Sequence, residues 1–236
     1  MRAEVYMTPA EVDPASTHDA AVVVVDVVRA TTTIVEALAN GARAIYPTAS
    51  TAEAVKLAAS FGRDGTLLCG ERGSVKVEGF DLGNSPAEFT RGAVAGKRLV
   101  MSTTNGTAAL ARVQEAPRVM VGAFANLGAV AGALRGHPRV VIVCAGRLGR
   151  FALDDALCAG HILRRLGEGR DMNDGAGAAW ALAGVMEPGA EALAATEAGR
   201  AVSAHGFASD LDICGQVDRH TLVPELRDQA LVAAGG

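Results

Sequence analysis

Residues 21–33 read A-V-V-V-V-D-V-V-R-A-T-T-T, a β-branched run that stops abruptly at an acid, an arginine and three threonines. A strand that is apolar without alternation must be covered on both faces, so this stretch predicts a parallel sheet lying between helices, with Asp26 near the strand's carboxyl end. From Ile34 the apolar positions recur at Ala37 and Leu38 and stop at Gly41, a helical stripe with Thr31 or Thr32 as its N-cap and Gly41 as its C′ residue. The hydroxyls of Thr31, Thr32 and Thr33 are then expected to ring a helix N-terminus. Unpaired N–H groups and a partial positive charge gather there, and with the donor fork of Arg29 they suit a phosphate or sulfonate. Asp26 can face such a guest only if a cation lies between them or the carboxylate has a chemical role, and Mg²⁺ with phosphate meets the first condition. The plainer alternative, in which the threonines only cap the helix and Asp26 pairs with Arg29, stays open at this point.

The rest of the chain repeats the same alternation of apolar runs and helical patterns, as in an α/β sheet. Strands are expected at 3–7, 42–46, 66–69, 97–102, 118–121 and 139–143, with a short one at 221–223. Ser50 with Glu53, and Ser85-Pro86-Ala87-Glu88, have the spacing of capping boxes. Past Asp171 the strand signal stops, and residues 176–200 read as two alanine-rich helices broken around Pro188-Gly189. No linker divides the 236 residues, so a single domain over 1–236 is expected, with a helical C-terminal part from about 171.

Polar residues gather where predicted strands end: Asp26 and Arg29, Glu71, the turn Thr103-Thr104-Asn105-Gly106-Thr107, Gly146 and Asp155. A glycine-rich loop carrying Asp81 and Asn84 follows Glu71. In open α/β sheets that edge is where ligands bind.

Several function classes find no support. There is no G-x-x-x-x-G-K-[ST], no G-x-G-x-x-G after a strand and no G-x-S-x-G elbow. Few aromatics, no basic cluster and a net charge of −4 argue against nucleic acid as a partner. The longest apolar run, Ala20 to Val25, is far too short to span a bilayer, and the N-terminus lacks the layout of a signal peptide, so a cytoplasmic location without membrane contact is expected. The four cysteines show no C-x-x-C spacing, which favours reduced thiols. A homo-oligomer stays open.

Five blocks in order, V-D-V-V-R-A-T-T-T, G-E-R-G with G-F-D-L-G-N-S-P, S-T-T-N-G-T, C-A-G-R with D-D-A-L-C-A-G, and the tail S-A-H-G with V-P, resemble the 2-phosphosulfolactate phosphatase family over nearly the whole chain. The resemblance implies an α/β/α three-layer fold with a mostly parallel, or mixed, sheet. It also implies Mg²⁺-dependent hydrolysis of (2R)-phospho-3-sulfolactate to 3-sulfolactate on the route to coenzyme M. A small ester with phosphate, sulfonate and carboxylate groups calls for two anion-binding turns, an arginine and a divalent cation. On that basis Asp26, Arg29 and Asp155 are the expected catalytic residues, and Asp26, Glu71 and Asp81 the expected Mg²⁺ ligands. Arg29 with Thr31, Thr32 and Thr33 forms one expected substrate cradle, Thr103, Thr104, Asn105, Gly106 and Thr107 the other, with Asn84 and Gly146 beside them. Attack by Asp26 and direct attack by water both remain open, as do a phosphatase for other small 2-phospho acids and a non-catalytic anion-binding module.

Overall fold

The computed structural model describes residues 1–62 and 64–234. Among these, the strands in chain order are β1 (Arg2–Tyr6), β2 (Ala21–Val25), β3 (Ala44–Pro47), β4 (Thr66–Arg72), β5 (Val75–Lys76), β6 (Arg98–Ser102), β7 (Arg118–Gly122), β8 (Arg139–Cys144), β9 (Asp171–Met172), β10 (Pro224–Arg227) and β11 (Ala230–Ala233). The helices are α1 (Ala30–Ala39), α2 (Thr51–Phe61), α3 (Arg91–Val94), α4 (Gly106–Val113), α5 (Leu127–Leu134), α6 (Leu153–Leu166), α7 (Asp174–Leu182), α8 (Ala190–Ala194), α9 (Glu197–Ala204) and α10 (Asp210–Cys214).

All the strands belong to one sheet in the order β5-β4-β6-β3-β11-β10-β7-β2-β8-β1-β9. β2 lies between β7 and β8, parallel to both, with Val25 opposite Gly122 and Cys144. Its side chains divide between two cores, which is why the run shows no polar alternation. Val23 and Val25 pack with Leu157, Ile162 and Leu163 of α6 and Leu127 of α5. Val22 and Val24 pack with Ile34 and Leu38 of α1 and Leu110 of α4. The fold is therefore α/β, with helices on both faces of a mostly parallel, mixed sheet.

The mixed character comes from the C-terminal hairpin. β10 and β11 pair antiparallel with each other, and β10 meets β7 while β11 meets β3, again antiparallel. The hairpin thus joins two parallel blocks, β4-β6-β3 and β7-β2-β8-β1-β9, which run in opposite senses across it. This corrects the expected tail: the strands are at 224–227 and 230–233 rather than 221–223, and they are central. Nor does the strand signal stop past Asp171, since β9 at Asp171–Met172 adds an edge beside β1. The helical stretch after it holds three helices, not two, because Thr196 caps a separate α9 by accepting the N–H of Gly199.

Helix ends follow the sequence in part. Ser50 accepts the N–H of Glu53 at 3.1 Å and opens α2 as expected. Ser85 does not cap a helix; its hydroxyl donates to Asp210 at 2.6 Å, and only a 3₁₀ turn follows at Pro86–Glu88. No helix among the described residues is long and apolar enough to cross a membrane.

Candidate active site

Although the two blocks run in opposite senses through the hairpin, residues at the carboxyl ends of β2, β4, β6 and β8 come together at one cleft. It is lined by Asp26, Val28 and Arg29 after β2, by Glu71, Gly73 and Ser74 at the β4–β5 hairpin, and by Asn84. Thr104 and Asn105 after β6, Arg147 and Leu148 after β8, and Val202 of α9 complete it. Its cavity of about 110 Å³ suits a ligand of a few heavy atoms rather than a nucleotide.

Asp26 occupies the N-terminus of α1. Its main-chain carbonyl accepts the N–H of Thr31 at 2.9 Å, and the main-chain N–H groups of Ala30 and of Gly106, at the start of α4, favour the charged form of its carboxylate. The positive end of the helix therefore faces Asp26 itself. The three threonines are fully buried and directed elsewhere. Thr31 Oγ1 donates to Asp26 O (2.9 Å), Thr32 Oγ1 to Val27 O (2.8 Å) and Thr33 Oγ1 to Asn84 O (3.0 Å). None of them lines the cleft or is the N-cap, which is Arg29. The expected Thr31–Thr33 cradle is thus a set of stitches between main-chain segments.

Arg29 reaches the cleft but its charge is taken. Nη1 donates to Asp210 Oδ2 at 2.8 Å, Nη2 donates to Ser74 O at 2.8 Å, and the guanidinium carbon lies 4.5 Å from the centre of the Phe207 ring. The Val28–Arg29 peptide is cis. Arg147 is different: it is half-buried, it attracts Asp154, and among the described residues its side chain makes no hydrogen bond or ion pair.

The acids separate in the same way. Glu71 accepts N–H groups from Ser74 (2.8 Å) and Thr104 (2.7 Å), which ties the hairpin to the turn after β6. Asp81 is not brought to the cleft; it is exposed, accepts the N–H of Leu68 at 2.8 Å and lines a separate groove with α2. Asp155 accepts the N–H of Val27 (2.9 Å) on one oxygen and that of Gly146 (3.0 Å) on the other. Both of its oxygens therefore brace the loops after β2 and β8, and Gly146 serves Asp155 rather than a substrate. The neighbouring Asp154 is 2% exposed and its Oδ1 has no partner. Burial raises all three aspartates: Asp26 to about 7, Asp154 to about 6 and Asp155 well above the usual range, with Asp154 and Glu71 adding repulsion at Asp26.

The second expected cradle is mixed. Thr103 and Thr107 bind each other's main chain, each hydroxyl accepting the other's N–H (3.3 and 3.2 Å). Asn105 Oδ1 accepts the N–H of Leu148 at 3.1 Å. Thr104 Oγ1 and Asn84 Oδ1 are buried without partners and lie in residues that line the cleft.

A divalent cation can be tested against this donor set. Among the described residues no three His, Cys, Asp or Glu side chains stand close enough to hold a metal alone. Mg²⁺ commonly takes only one or two carboxylates and fills its shell with water and phosphate oxygens. Asp26 and Glu71, lining one cleft with an unpaired arginine and with the charge of Asp154 acting on Asp26, fit that pattern; Asp81 does not.

Such a cleft, at the carboxyl ends of strands in a covered sheet, is that of an α/β enzyme. The chain belongs to the 2-phosphosulpholactate phosphatase family, whose sequence model matches residues 6–229. It is 40% identical over 238 residues, 100% of this chain and 99% of the relative, to a probable 2-phosphosulfolactate phosphatase of Gloeobacter violaceus. A protein of the same description from Thermotoga petrophila is 40% identical over 206 residues, 86% of this chain and 88% of that one. Another, from Caldanaerobacter subterraneus, is 37% identical over 229 residues, 95% of each. Family and relatives alike are phosphoric monoester hydrolases by name.

Sequence reasoning placed Asp26, Arg29, Glu71, Asn84, Thr104 and Asn105 among the site residues, and the structure gathers these. It had no means of preferring Asp154 over Asp155, since adjacent helical residues point apart and only the fold says which way. Arg147 follows the C-A-G turn and was noticeable by position. Nothing local marks Asp210.

Proposed function

We propose that the cleft hydrolyses the phosphate monoester of (2R)-phospho-3-sulfolactate to 3-sulfolactate and phosphate, and that it does so with Mg²⁺. The observation that carries this reading is the opposition, in one small cleft, of buried Asp26 and Glu71 to the unpaired guanidinium of Arg147, in a chain of this family. Asp26 and Glu71 would hold the ion, with the charge of Asp154 acting on Asp26, and the ion would supply charge neutralisation for the phosphoryl oxygens. Arg147 meets the substrate's anionic groups in the planar, two-pronged way that phosphate and sulfonate accept. The free hydroxyl of Thr104 donates to a further oxygen, and Arg29 contributes the N–H groups that Asp210 and Ser74 leave unused.

The experiment is phosphate release from (2R)-phospho-3-sulfolactate and from a panel of other 2-phospho acids, with EDTA and then with Mg²⁺ restored. Turnover of the sulfonated substrate that is lost in chelator and regained with Mg²⁺ is expected. Undiminished turnover in chelator would remove the metal, and binding without phosphate release would leave an anion-binding module.

A further inference from the structure

The face of the cleft formed by Arg29 is built by a segment far away in sequence. Asp210 lies 181 residues from Arg29, and both side chains are 2% exposed. Asp210 Oδ2 accepts from Arg29 Nη1, while Oδ1 accepts from Ser85 Oγ at 2.6 Å, next to the cleft residue Asn84. Phe207, three residues earlier, lies against the guanidinium, its ring centre 4.5 Å from the central carbon. Ser74 O holds the remaining prong at 2.8 Å. One short segment, Phe207 to Asp210, thus fixes both the plane and the edge of the arginine.

We propose that Phe207 and Asp210 are positioning residues of the active site, acting through Arg29. A buried arginine needs a charged partner to remain in place, and a long side chain without one would sample several rotamers. Clamped on its ring face and along two edges, Arg29 cannot follow a ligand. Its unused donors are preset, and preset donors act most strongly on charge that develops in the transition state. The clamp therefore affects kcat more than KM. This inference rests on the cleft being the place of phosphate-ester hydrolysis.

The test is a double-mutant cycle on kcat and KM for phosphate release from (2R)-phospho-3-sulfolactate with Mg²⁺, using Asp210→Asn, Arg29→Lys and both together. Asp210→Asn should lower kcat by about 30-fold with KM within about threefold; on the Arg29→Lys background it should cost less than about threefold further. Full additivity would overturn the proposal, as would a lowered melting temperature with kcat per folded enzyme unchanged. Should Asp210→Asn fail to fold, Phe207→Leu keeps the apolar bulk and enters the same cycle, with a loss of about fivefold that vanishes on Arg29→Lys. A wild-type protein that releases no phosphate would refute the functional reading instead. The cycle read on affinity for inorganic phosphate, measured by calorimetry, would then still decide the clamp: non-additive losses support it and additive ones overturn it.

Discussion

A Cβ on Gly106 would stand 2.8 Å from Asp26 Oδ2 and 2.8 Å from Ala30 Cβ, and the Gly106 N–H favours the charged form of the Asp26 carboxylate. The approach of α4 to α1 is thus possible only without a side chain, and it brings the turn after β6 onto the acid after β2. Gly106→Ala is expected to displace Asp26 and lower kcat by about 100-fold, since a misplacement of about 1 Å is enough for a loss of that order. Steady-state kinetics beside a near-ultraviolet circular dichroism spectrum will check it; wild-type kcat in the variant would separate the α1–α4 contact from catalysis.

The two arginines of the cleft should fail differently. Arg147 has no internal partner, so Arg147→Ala is expected to raise KM by about tenfold or more and leave the melting temperature nearly unchanged. Arg29→Ala strands Asp210 in the interior, and breaking a buried pair in this way costs about 3–5 kcal/mol of stability. Urea unfolding of both variants decides between them, because equal destabilisation would mean that Arg147 is also part of the scaffold.

Asp154 and Asp155 are adjacent and are expected to have opposite phenotypes. Asp155→Asn puts an amide donor against the N–H of either Val27 or Gly146, leaving a buried donor unpaired at a cost of about 1–3 kcal/mol. Asp154→Asn removes a buried charge that has an unsatisfied oxygen, so the variant should be at least as stable as wild type while losing most Mg²⁺-dependent turnover. Thermal melting and phosphate release on the pair will show whether the two roles are divided in this way.

The pH dependence of stability has a definite sign. Asp26 and Asp154 start from 3.8 when unfolded and rise to about 7 and about 6 when folded. Between the unfolded and folded values the native chain keeps protons that the unfolded chain has released. Stability without metal therefore falls as pH rises through that window, by about 1.4 kcal/mol per pH unit for each group, and levels off above it. Melting temperatures in EDTA should be lower at about pH 7.5 than at about pH 5, and Asp26→Asn should flatten the difference. A profile that rises with pH would contradict the burial described for these acids.

Much of the core was legible because burial on two faces leaves a direct trace in composition. Val22 to Val25 can only be a covered strand, and Gly41 ends α1 with φ +90° where the apolar stripe stops. The threonines misled for a physical reason. A hydroxyl beside a helix start can bind a ligand, a helix N–H or a main-chain carbonyl, and the choice depends on which segments lie opposite; here these are the loop after β2 and the loop at Asn84. Asp81 misled because a glycine-rich loop folds in either direction without changing its local pattern. The Arg29–Asp210 pair was illegible because a buried ion pair over this separation leaves no periodicity.

The hairpin of β10 and β11 also sets an order in time. The described strands of both parallel blocks precede it in the chain, and until it is in place β3 and β7 lack partners on the sides that face each other across it. Open strand edges of this kind attract other chains. Glu225, on β10 opposite Met120, forms ion pairs with Arg118 and Arg227, so these strands bring a charged lock to the middle of the sheet. The cleft draws its residues from both blocks, and the segment that unites them follows both in the chain.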